Sequence, residues 1–530
     1  MTVPFSDRES VYTRPDVALE PLIHGYYAWL NLVSPLTAAM HFSKLYVPLL
    51  RSFTEDSELH RASVRDPKLR GGMFVDLDDG CSDAVRQLIK ELAGGAMPVL
   101  AAAVDQLTAA LESTADGFDL TSRYRDIPDP LKGYVELVYD LNDHARVRYC
   151  EALLYASSYY DQRAQRIDIS LSTDDHRPFA MSTPRLGGAG HLQRAMPLRD
   201  PRIDLLFSAM RVPRPFGELR AAFEVSREEA QAFALFFTSC PPRHAEQREA
   251  DERLRVRYFG HACVVTEAGP VTVMTDPFLS DNRREGRYGY ADLPDRIDFA
   301  LVTHGHQDHL ELATLLKLRH RIGTVVVPRT NSGALQDPSL SLCLKALGFD
   351  NVTAVEAGDV LEFETGRIIV CPFIGEHCDL DIGAKVTYAV RSAGQTLYFG
   401  ADCRGLDRAL FTNIHRMVGD IDHLFLGMEC DGAPLSWIYG PLFSRQLDRK
   451  KNLSRQLNGS NAIEAIGIVR ELKARAAHVY AMGREPWLQF IMATNYTADS
   501  YQLKQVSEFF SRCAALGIPA DELYGQAHIV

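Results

Sequence analysis

The sequence contains no stretch approaching the roughly twenty consecutive apolar residues that a membrane-spanning helix needs. Its amino terminus, MTVPFSDRES, has no apolar signal core, so export is not expected and a cytoplasmic location is predicted. Basic residues are outnumbered by acidic ones, since the chain has 57 Lys and Arg and 69 Asp and Glu, which give a formal net charge of -12. This balance argues against nucleic acid or another polyanion as the main ligand.

Paired cysteines, internal repeats and low-complexity tracts are absent as well. The ten cysteines are scattered along the chain and form no CxxC pair, so we expect them to be reduced and mostly to lie in the core. The hydrophobic share of 46% and the charged share of 24% are ordinary globular values. A chain of 530 residues with this composition predicts two or more domains with a large core.

A polar segment with a double proline, residues 240–252, predicts a domain boundary. Residues 1–245 mix strand-like and helical patterns without metal-ligand spacing, and are predicted to form a mixed α/β domain. From Leu254 onward, short apolar strands separated by glycine turns alternate with helical segments. Residues 246–530 are therefore predicted to form a second domain of the α+β class, with two sheets covered by helices.

Three histidines and one aspartate lie within six positions, as His304, His306, Asp308 and His309 in an HxHxDH motif. The motif follows a mostly apolar run that is typical of a buried strand ending in a loop. Imidazole and carboxylate groups hold divalent metals, and packing alone hardly accounts for four of them so close together. His304 and His306 are two apart on an extended segment and point the same way, whereas Asp308 begins a predicted helix. This spacing predicts two adjacent metals, one on each pair.

The motif resembles the one that carries the binuclear metal site of the metallo-β-lactamase superfamily. The resemblance implies an αββα sandwich with the metals at one edge and further ligands on later loops. The bridging aspartate of the superfamily matches Asp402, in the segment YFGADC. A further ligand position offers Glu376 and His377 side by side, and both remain candidates. The last superfamily histidine is replaced by Met482, and Glu429 is the nearest residue that could complete the second metal.

With Glu376 and Glu429 as ligands, the metal set comprises three histidines and four carboxylates, namely His304, His306, His309, Asp308, Glu376, Asp402 and Glu429. Oxygen-rich ligation favours iron, which must change oxidation state, over zinc, which supplies only Lewis acidity. We therefore predict a diiron oxygenase site with Glu376 and Glu429 as its catalytic carboxylates. The alternative hypothesis is a dizinc metallohydrolase acting on an ester, lactone or phosphodiester. A catalytically silent interaction protein is a third possibility, which so complete a ligand set disfavours.

The order of the motifs narrows the resemblance. GHAC, HxHxDH, GEHCD, GADCR and GMECDG follow an amino-terminal domain of some 240 residues, and in this the chain resembles the diiron β-hydroxylase family of chloramphenicol biosynthesis. The resemblance implies two iron ions in an oxo-bridged cluster, dioxygen as co-substrate and an external electron donor. It also implies β-hydroxylation of an aminoacyl group, L-p-aminophenylalanine, held as a thioester on a nonribosomal peptide synthetase carrier domain in antibiotic biosynthesis. The amino-terminal domain would serve dimerisation, carrier docking or both, and a homodimer is expected.

Some further residues have candidate supporting roles. His261 and Asp276 resemble superfamily positions that orient the metal loop through hydrogen bonds, although Asp276 precedes a proline and could simply form a turn. The basic run 445–455 is a candidate docking segment for an acidic carrier domain, with a solvated loop as the alternative. Three aromatic residues are candidates to line a substrate pocket, with core packing as the alternative, namely Trp437, Tyr439 and Trp487.

Overall fold

The structure is a computed structural model that describes residues 4–242, 254–282, 284–331 and 333–530. The predicted boundary between residues 245 and 246 lies outside the described residues, so the two-domain division stays a prediction. The strands described before residue 243 are β1 (Ser10–Thr13), β2 (Val17–Ile23), β3 (Tyr26–Tyr27), β4 (Val135–Tyr139), β5 (Ala145–Tyr149), β6 (Gln165–Leu171), β7 (Leu192–Ala195), β8 (Arg214–Pro215) and β9 (Phe237–Thr238). The α-helices of the same part are α1 (Leu30–Val33), α2 (Pro35–His41), α3 (Val47–Glu55), α4 (Ser57–Arg65), α5 (Ser82–Gly94), α6 (Ala96–Thr114), α7 (Glu151–Tyr155), α8 (Arg202–Ser208), α9 (Phe216–Ala222) and α10 (Ala230–Ala234).

Two long helices of this amino-terminal part follow the sequence pattern closely. The apolar helical pattern over residues 82–111 is interrupted at a glycine pair, and the chain breaks there into α5 and α6. Gly95 separates them with an extended backbone, because glycine is a poor residue for a helix interior. Within the described residues no single helix is long and apolar enough to cross a membrane, although the bent pair formed by residues 79–94 and 96–114 passes that test jointly.

The strands after residue 253 are β10 (Leu254–Gly260), β11 (Cys263–Ala268), β12 (Val271–Thr275), β13 (Ile297–Leu301), β14 (Ile322–Pro328), β15 (Val352–Val355), β16 (Val360–Phe363), β17 (Gly366–Pro372), β18 (Glu376–His377), β19 (Val386–Ser392), β20 (Gln395–Phe399), β21 (His423–Gly427), β22 (Leu457–Asn458), β23 (Ala476–Tyr480), β24 (Ala520–Glu522) and β25 (Ala527–His528). The α-helices are α11 (Leu312–Leu318), α12 (Leu340–Ala346), α13 (Arg408–Val418), α14 (Ser436–Tyr439), α15 (Arg449–Ser454), α16 (Ala462–Glu471), α17 (Gln489–Met492) and α18 (Tyr501–Ala515).

Two seven-stranded sheets pack face to face in this second part. Their strand orders are β15-β14-β13-β12-β11-β10-β25 and β16-β17-β19-β20-β21-β23-β24. Apolar side chains from both sheets fill the space between them, for example Val256, Val326, Val370 and Phe425. Helices α13, α16 and α18 cover the outer face of the second sheet. This arrangement confirms the predicted αββα sandwich and the α+β class.

The outer face of the first sheet is covered by α11 and α12 together with the amino-terminal part. One continuous core contains Leu315 and Leu344 from those helices and Tyr26, Leu50 and Phe207 from the amino-terminal part. Because this core contains residues of both parts, the amino-terminal residues form a layer that packs against the first sheet.

Capping side chains set the start of two helices. The helix after the metal motif begins at Leu312 rather than near Asp308, because the Glu311 side chain accepts hydrogen bonds from the amides of Ala313 and Thr314 and caps it there. Helix α16 is capped by Asn461 and not by the neighbouring Ser460. The Ser460 hydroxyl instead bonds within the loop that follows Asp402, donating to the carbonyl of Cys403 and accepting from the amide of Gly405.

Candidate metal centre

The predicted metal ligands meet where strands of both sheets end. Strand β13 ends at Leu301 and leads directly into the HxHxDH motif, whereas Asp402 follows β20 and Glu429 follows β21. Glu376 lies on the short strand β18, which pairs with β22. Residues far apart in the sequence are thus placed at one edge of the sandwich, as the superfamily resemblance implied.

The motif histidines and Asp402 form one tight cluster. The ring centroids of His304 and His309 are 4.1 Å apart, and those of His304 and His306 are 4.8 Å apart. The Asp402 Oδ2 atom lies 3.1 Å from His309 Nε2 and 3.7 Å from His304 Nε2. Asp402 therefore faces both halves of the motif, which suits a ligand shared by two metals.

Two buried residues hold the motif in this geometry. The Asp276 carboxylate accepts a hydrogen bond from the Thr303 amide at 2.7 Å and contacts His309 Nδ1 at 2.8 Å. This contact fixes His309 with Nε2 directed at the centre. His261 Nε2 lies 2.9 Å from the Asp308 carboxylate, which it orients in the same way. Both supporting roles expected from the sequence are present, and Asp276 does more than form a turn.

Glu376 and His377, which the sequence could not rank, both belong to a buried group with His304 and His306 whose potential ligand atoms all lie within 4.8 Å of one another. Glu376 Oε1 lies 2.8 Å from His306 Nδ1, and Glu376 Oε2 lies 2.5 Å from His377 Nδ1. The His377 ring stacks on His306 with centroids 4.5 Å apart. Glu376 borders the large cavity beside the cluster, whereas His377 borders a separate cavity of about 30 Å³. Glu376 is thus the one of the pair that faces the open side of the site.

Acidic groups crowd the centre and disturb one another's protonation. Burial raises the pKa of Glu429 well above its usual value, and the nearby carboxylates of Asp402, Asp308 and Glu376 raise it further. Burial likewise raises the pKa of Asp402, although His309 opposes the shift. Positive charge placed among these carboxylates would remove the repulsion, which is the electrostatic requirement for a cation site.

Several inward-facing atoms of the cluster lack hydrogen-bond partners within the described residues. They are His304 Nε2, His309 Nε2, Asp402 Oδ1, Glu376 Oε2 and His377 Nδ1. A buried polar atom left unpaired costs about 1–3 kcal/mol, so five in one place call for a ligand. Imidazole nitrogens and carboxylate oxygens that converge in this way match the donor set of a nitrogen- and oxygen-ligated diiron centre. The residues present therefore fit two iron ions.

A cavity of about 570 Å³ opens directly onto the metal cluster. Its floor includes His306, Asp308, Glu376, Asp402 and Glu429. Its walls come from both parts of the chain and include apolar and aromatic side chains, among them Trp29, Phe74, Met181, Trp437, Ile491 and Tyr496. No spacing signal in the sequence pointed to Trp29, Phe74 or Tyr496, because they reach the cavity only through tertiary packing.

The three aromatic candidates have different outcomes. Trp437 lines the large cavity and its Nε1–H donates to the Gly71 carbonyl at 3.0 Å. Tyr439 borders the small cavity, where its hydroxyl lies 3.2 Å from His306 Nε2. Trp487 is buried beneath the Arg287 guanidinium and lines no cavity that touches the cluster. Trp437 therefore borders the cavity, whereas Trp487 follows the alternative of core packing.

Similarity to known proteins covers nearly the whole chain. The family described as the N-terminal domain of diiron non-heme β-hydroxylases matches residues 12–241, and the β-lactamase superfamily domain matches residues 255–427. The chain is 36% identical to the 4-amino-L-phenylalanyl-CmlP-peptidyl-carrier-protein 3-hydroxylase of Streptomyces venezuelae, across 91% of this chain and 92% of that protein. The chain belongs to the diiron β-hydroxylase family. It is accordingly an oxygen-dependent diiron β-hydroxylase, and its metal cofactor is a pair of iron ions.

A solved structure of the family supports the same conclusion. The crystal structure of CmlA, a diiron β-hydroxylase from Streptomyces venezuelae, matches this structure with a TM-score of 0.91, 33% identity, and coverage of 98% of this chain and 99% of that chain. A metal-dependent hydrolase of Shouchella clausii, by contrast, is 27% identical over only 33% of this chain. The diiron β-hydroxylase family thus accounts for both parts of the chain, and the dizinc hydrolase alternative has less support.

Proposed function

We propose that this enzyme hydroxylates the β-carbon of an L-p-aminophenylalanyl group held as a thioester on a nonribosomal peptide synthetase carrier domain. The observation that carries the proposal is the cavity of about 570 Å³, which joins the metal cluster to aromatic walls supplied by both parts of the chain. The Streptomyces relative is named for a 4-amino-L-phenylalanyl group on a peptidyl carrier protein, and an aryl side chain suits walls that contain Trp29, Phe74 and Trp437.

One iron would be held by His304, His306 and Glu376, the other by Asp308, His309 and Glu429, and Asp402 would serve both. The convergent distances around Asp402 and the contact between His306 Nδ1 and Glu376 support this division. His306 would offer Nδ1 to the metal, because its Nε2 lies 3.2 Å from the Tyr439 hydroxyl. When bound, the irons supply the redox steps and the dioxygen chemistry that no side chain can supply.

The protein's own contribution is to position the substrate and to keep the site enclosed. The cavity walls hold the aryl group so that its β-carbon faces the cluster, which replaces a random encounter by a fixed approach. Glu376 and Glu429 border the cavity, so their carboxylates would face a substrate held there. The His377 ring packs beside Glu376, with its Nδ1 2.5 Å from Glu376 Oε2, and stacks on His306.

Other roles belong to the same proposal. The electrons come from an external donor, and the enzyme acts as a homodimer in the cytoplasm. Residues 1–245 serve as a domain for dimerisation, carrier docking or both, and residues 246–530 form the catalytic domain. The core shared by the two parts supports a docking role for the first, because carrier and catalytic surfaces would then be held rigidly together.

The test combines the reduced, iron-loaded enzyme with dioxygen and a carrier domain bearing 4-amino-L-phenylalanine as a thioester. The expected product is heavier by one oxygen atom, with the hydroxyl on the β-carbon. The matched controls are phenylalanyl carrier and free 4-amino-L-phenylalanine, which should react more slowly or not at all. Failure to oxidise any aminoacyl carrier, or a purified protein that holds two zinc ions and hydrolyses the thioester, would overturn the proposal.

A further inference from the structure

The basic run 445–455 projects from the mouth of the metal cavity. The residues on either side of it line that cavity, with Pro434 and Trp437 before it and Leu457 after it. The base of the projection is closed by backbone hydrogen bonds, since the Leu435 amide donates to the Arg455 carbonyl at 2.8 Å. A protein that binds this projection would therefore lie directly beside the cavity entrance.

The tip of the projection is helix α15, and it presents cations to solvent. Asp448 caps the helix by accepting from the Lys451 amide at 3.0 Å. Among the described residues, the exposed side chains of Arg449, Lys450 and Lys451 form no ion pair and no hydrogen bond. Leu453 on the same helix is 50% exposed and offers an apolar contact.

A second pair of cations lies on the opposite lip of the mouth. Lys68 and Arg70 are exposed and border the cavity, and Arg70 is bonded only to the uncharged side chain of Gln489 at 3.0 Å. The two lips are tied together by the hydrogen bond between Trp437 Nε1 and the Gly71 carbonyl. We call the five cations the basic rim, namely Lys68, Arg70, Arg449, Lys450 and Lys451.

The charge of the basic rim is opposite in sign to the net charge of the whole protein. The chain has a formal net charge of -12, and the floor of the cavity is itself acidic. Exposed cations on two segments beside such a mouth attract an acidic partner to the entrance and steer its approach. We propose that the basic rim is the docking surface for an acidic carrier domain, with Leu453 as an apolar contact; this inference rests on the proposed function.

The test measures binding of a carrier domain bearing 4-amino-L-phenylalanyl thioester to the full-length, iron-loaded enzyme. The rim variant is Arg449→Glu/Lys450→Glu/Lys451→Glu, which leaves the Asp448 cap unchanged. We expect its Kd for the carrier to rise at least tenfold, with an unchanged melting temperature and iron content. The rate with a small aminoacyl pantetheine thioester, which needs no docking surface, should stay within twofold of the wild-type rate.

The matched control is Lys345→Glu/Arg391→Glu, which reverses two exposed cations that do not border the cavity and should leave the Kd unchanged. A rim variant that binds the carrier within threefold of wild type would overturn the docking surface, as would a wild-type enzyme that does not bind the carrier at all. Binding is measured without turnover, so a wild-type enzyme that binds the carrier but hydroxylates nothing would count against the proposed function alone.

Discussion

At the scale of single residues, the balance between carboxylates and histidines determines the chemistry of this centre. Glu376 stands next to His377, and a glutamate at the ligand position makes the first metal more oxygen-rich. Met482 lies in the apolar core of the second sheet, whereas Glu429 borders the metal cavity and is the residue that we propose for the second metal. Each difference moves the site from Lewis-acid hydrolysis toward redox chemistry.

Replacing Glu376 should cost more metal than replacing its neighbour. Glu376→Ala removes the carboxylate that faces both His306 and the cavity, and we expect it to lose roughly one of the two irons. His377→Ala removes only a ring that supports Glu376, and should retain nearly the full iron content. Metal analysis and the optical spectrum of both purified variants measure this ranking. The reverse ranking would assign the ligand position to His377.

Asp276→Asn should loosen the metal loop without touching a metal. The variant puts an amide group where a carboxylate accepts from Thr303 and contacts His309, so His309 loses the partner that fixes its orientation. Losing such an outer partner typically costs 10–100-fold in metal affinity, and we expect faster loss of iron to a chelator. Asp298→Asn is the matched control, because its carboxylate bonds the Thr272 amide away from the site. Equal rates of iron loss in the two variants would contradict the prediction.

At the scale of elements, the loop over residues 66–76 is the distinctive addition to the sandwich. It lies between the metal cavity and two further cavities of about 380 Å³ and 310 Å³, and Gly71 and Gly72 border all three. Gly71 has a φ of +76°, a conformation that glycine adopts at little cost. The residues around Gly71 border cavities on several sides, and the hydrogen bond from Trp437 is one of the contacts that hold them.

Trp437→Phe should release this loop. The variant keeps an aromatic ring but removes the donor to the Gly71 carbonyl, and one such bond contributes about 1 kcal/mol. We therefore expect amide hydrogen exchange over residues 66–76 to accelerate roughly fivefold, as a change of that size implies. Trp487→Phe is the control, because its Nε1 has no hydrogen-bond partner among the described residues. Unchanged exchange in the loop of the Trp437 variant would show that other contacts hold it.

At the scale of the whole molecule, buried polar contacts join the amino-terminal part to helices α11 and α12, which lie next to the metal motif. The Tyr27 hydroxyl bonds Glu311, the residue that caps α11 immediately after the metal motif. Lys317 of the same helix donates to the Val17 carbonyl at 2.7 Å. Glu151 of α7 accepts from the Ser339 amide at the start of α12. Removing the first part would therefore unsettle the helices that support the metal loop.

The Glu151 contact should make stability depend on pH. Burial raises the pKa of Glu151 to about 7, above its ordinary value of 4.5, so the folded state binds the proton more tightly than the unfolded state. Protonated Glu151 contributes on the order of 3 kcal/mol to the free energy of unfolding. This contribution is fully present below pH 4.5 and is lost as the pH rises through about 7. Glu151→Gln keeps an acceptor without the charge, so its melting temperature should gain on the wild type between pH 5 and pH 8. Glu55→Gln, on an exposed carboxylate, is the control and should show no such gain.

The sequence by itself determined the features that depend on neighbouring residues. The HxHxDH motif, the break at Gly95 and the alternation of apolar strands with turns are encoded within short windows, and the structure follows them. The later ligands came from resemblance to a known family rather than from spacing. Even the helix caps were only partly predictable, because Ser460 and Asn461 are equally suitable in type and only their tertiary partners separate them.

Only the tertiary structure decided which side chains border the cavity beside the metal cluster. Trp29, Gly71 and Trp437 meet around one cavity although they are far apart in the sequence, and no local pattern encodes such a meeting. The same holds for Glu376 and His377, which are adjacent in sequence but border different cavities. A ligand's identity depends on the direction of its side chain relative to distant partners, and that direction is fixed by the packing of two sheets and the amino-terminal layer.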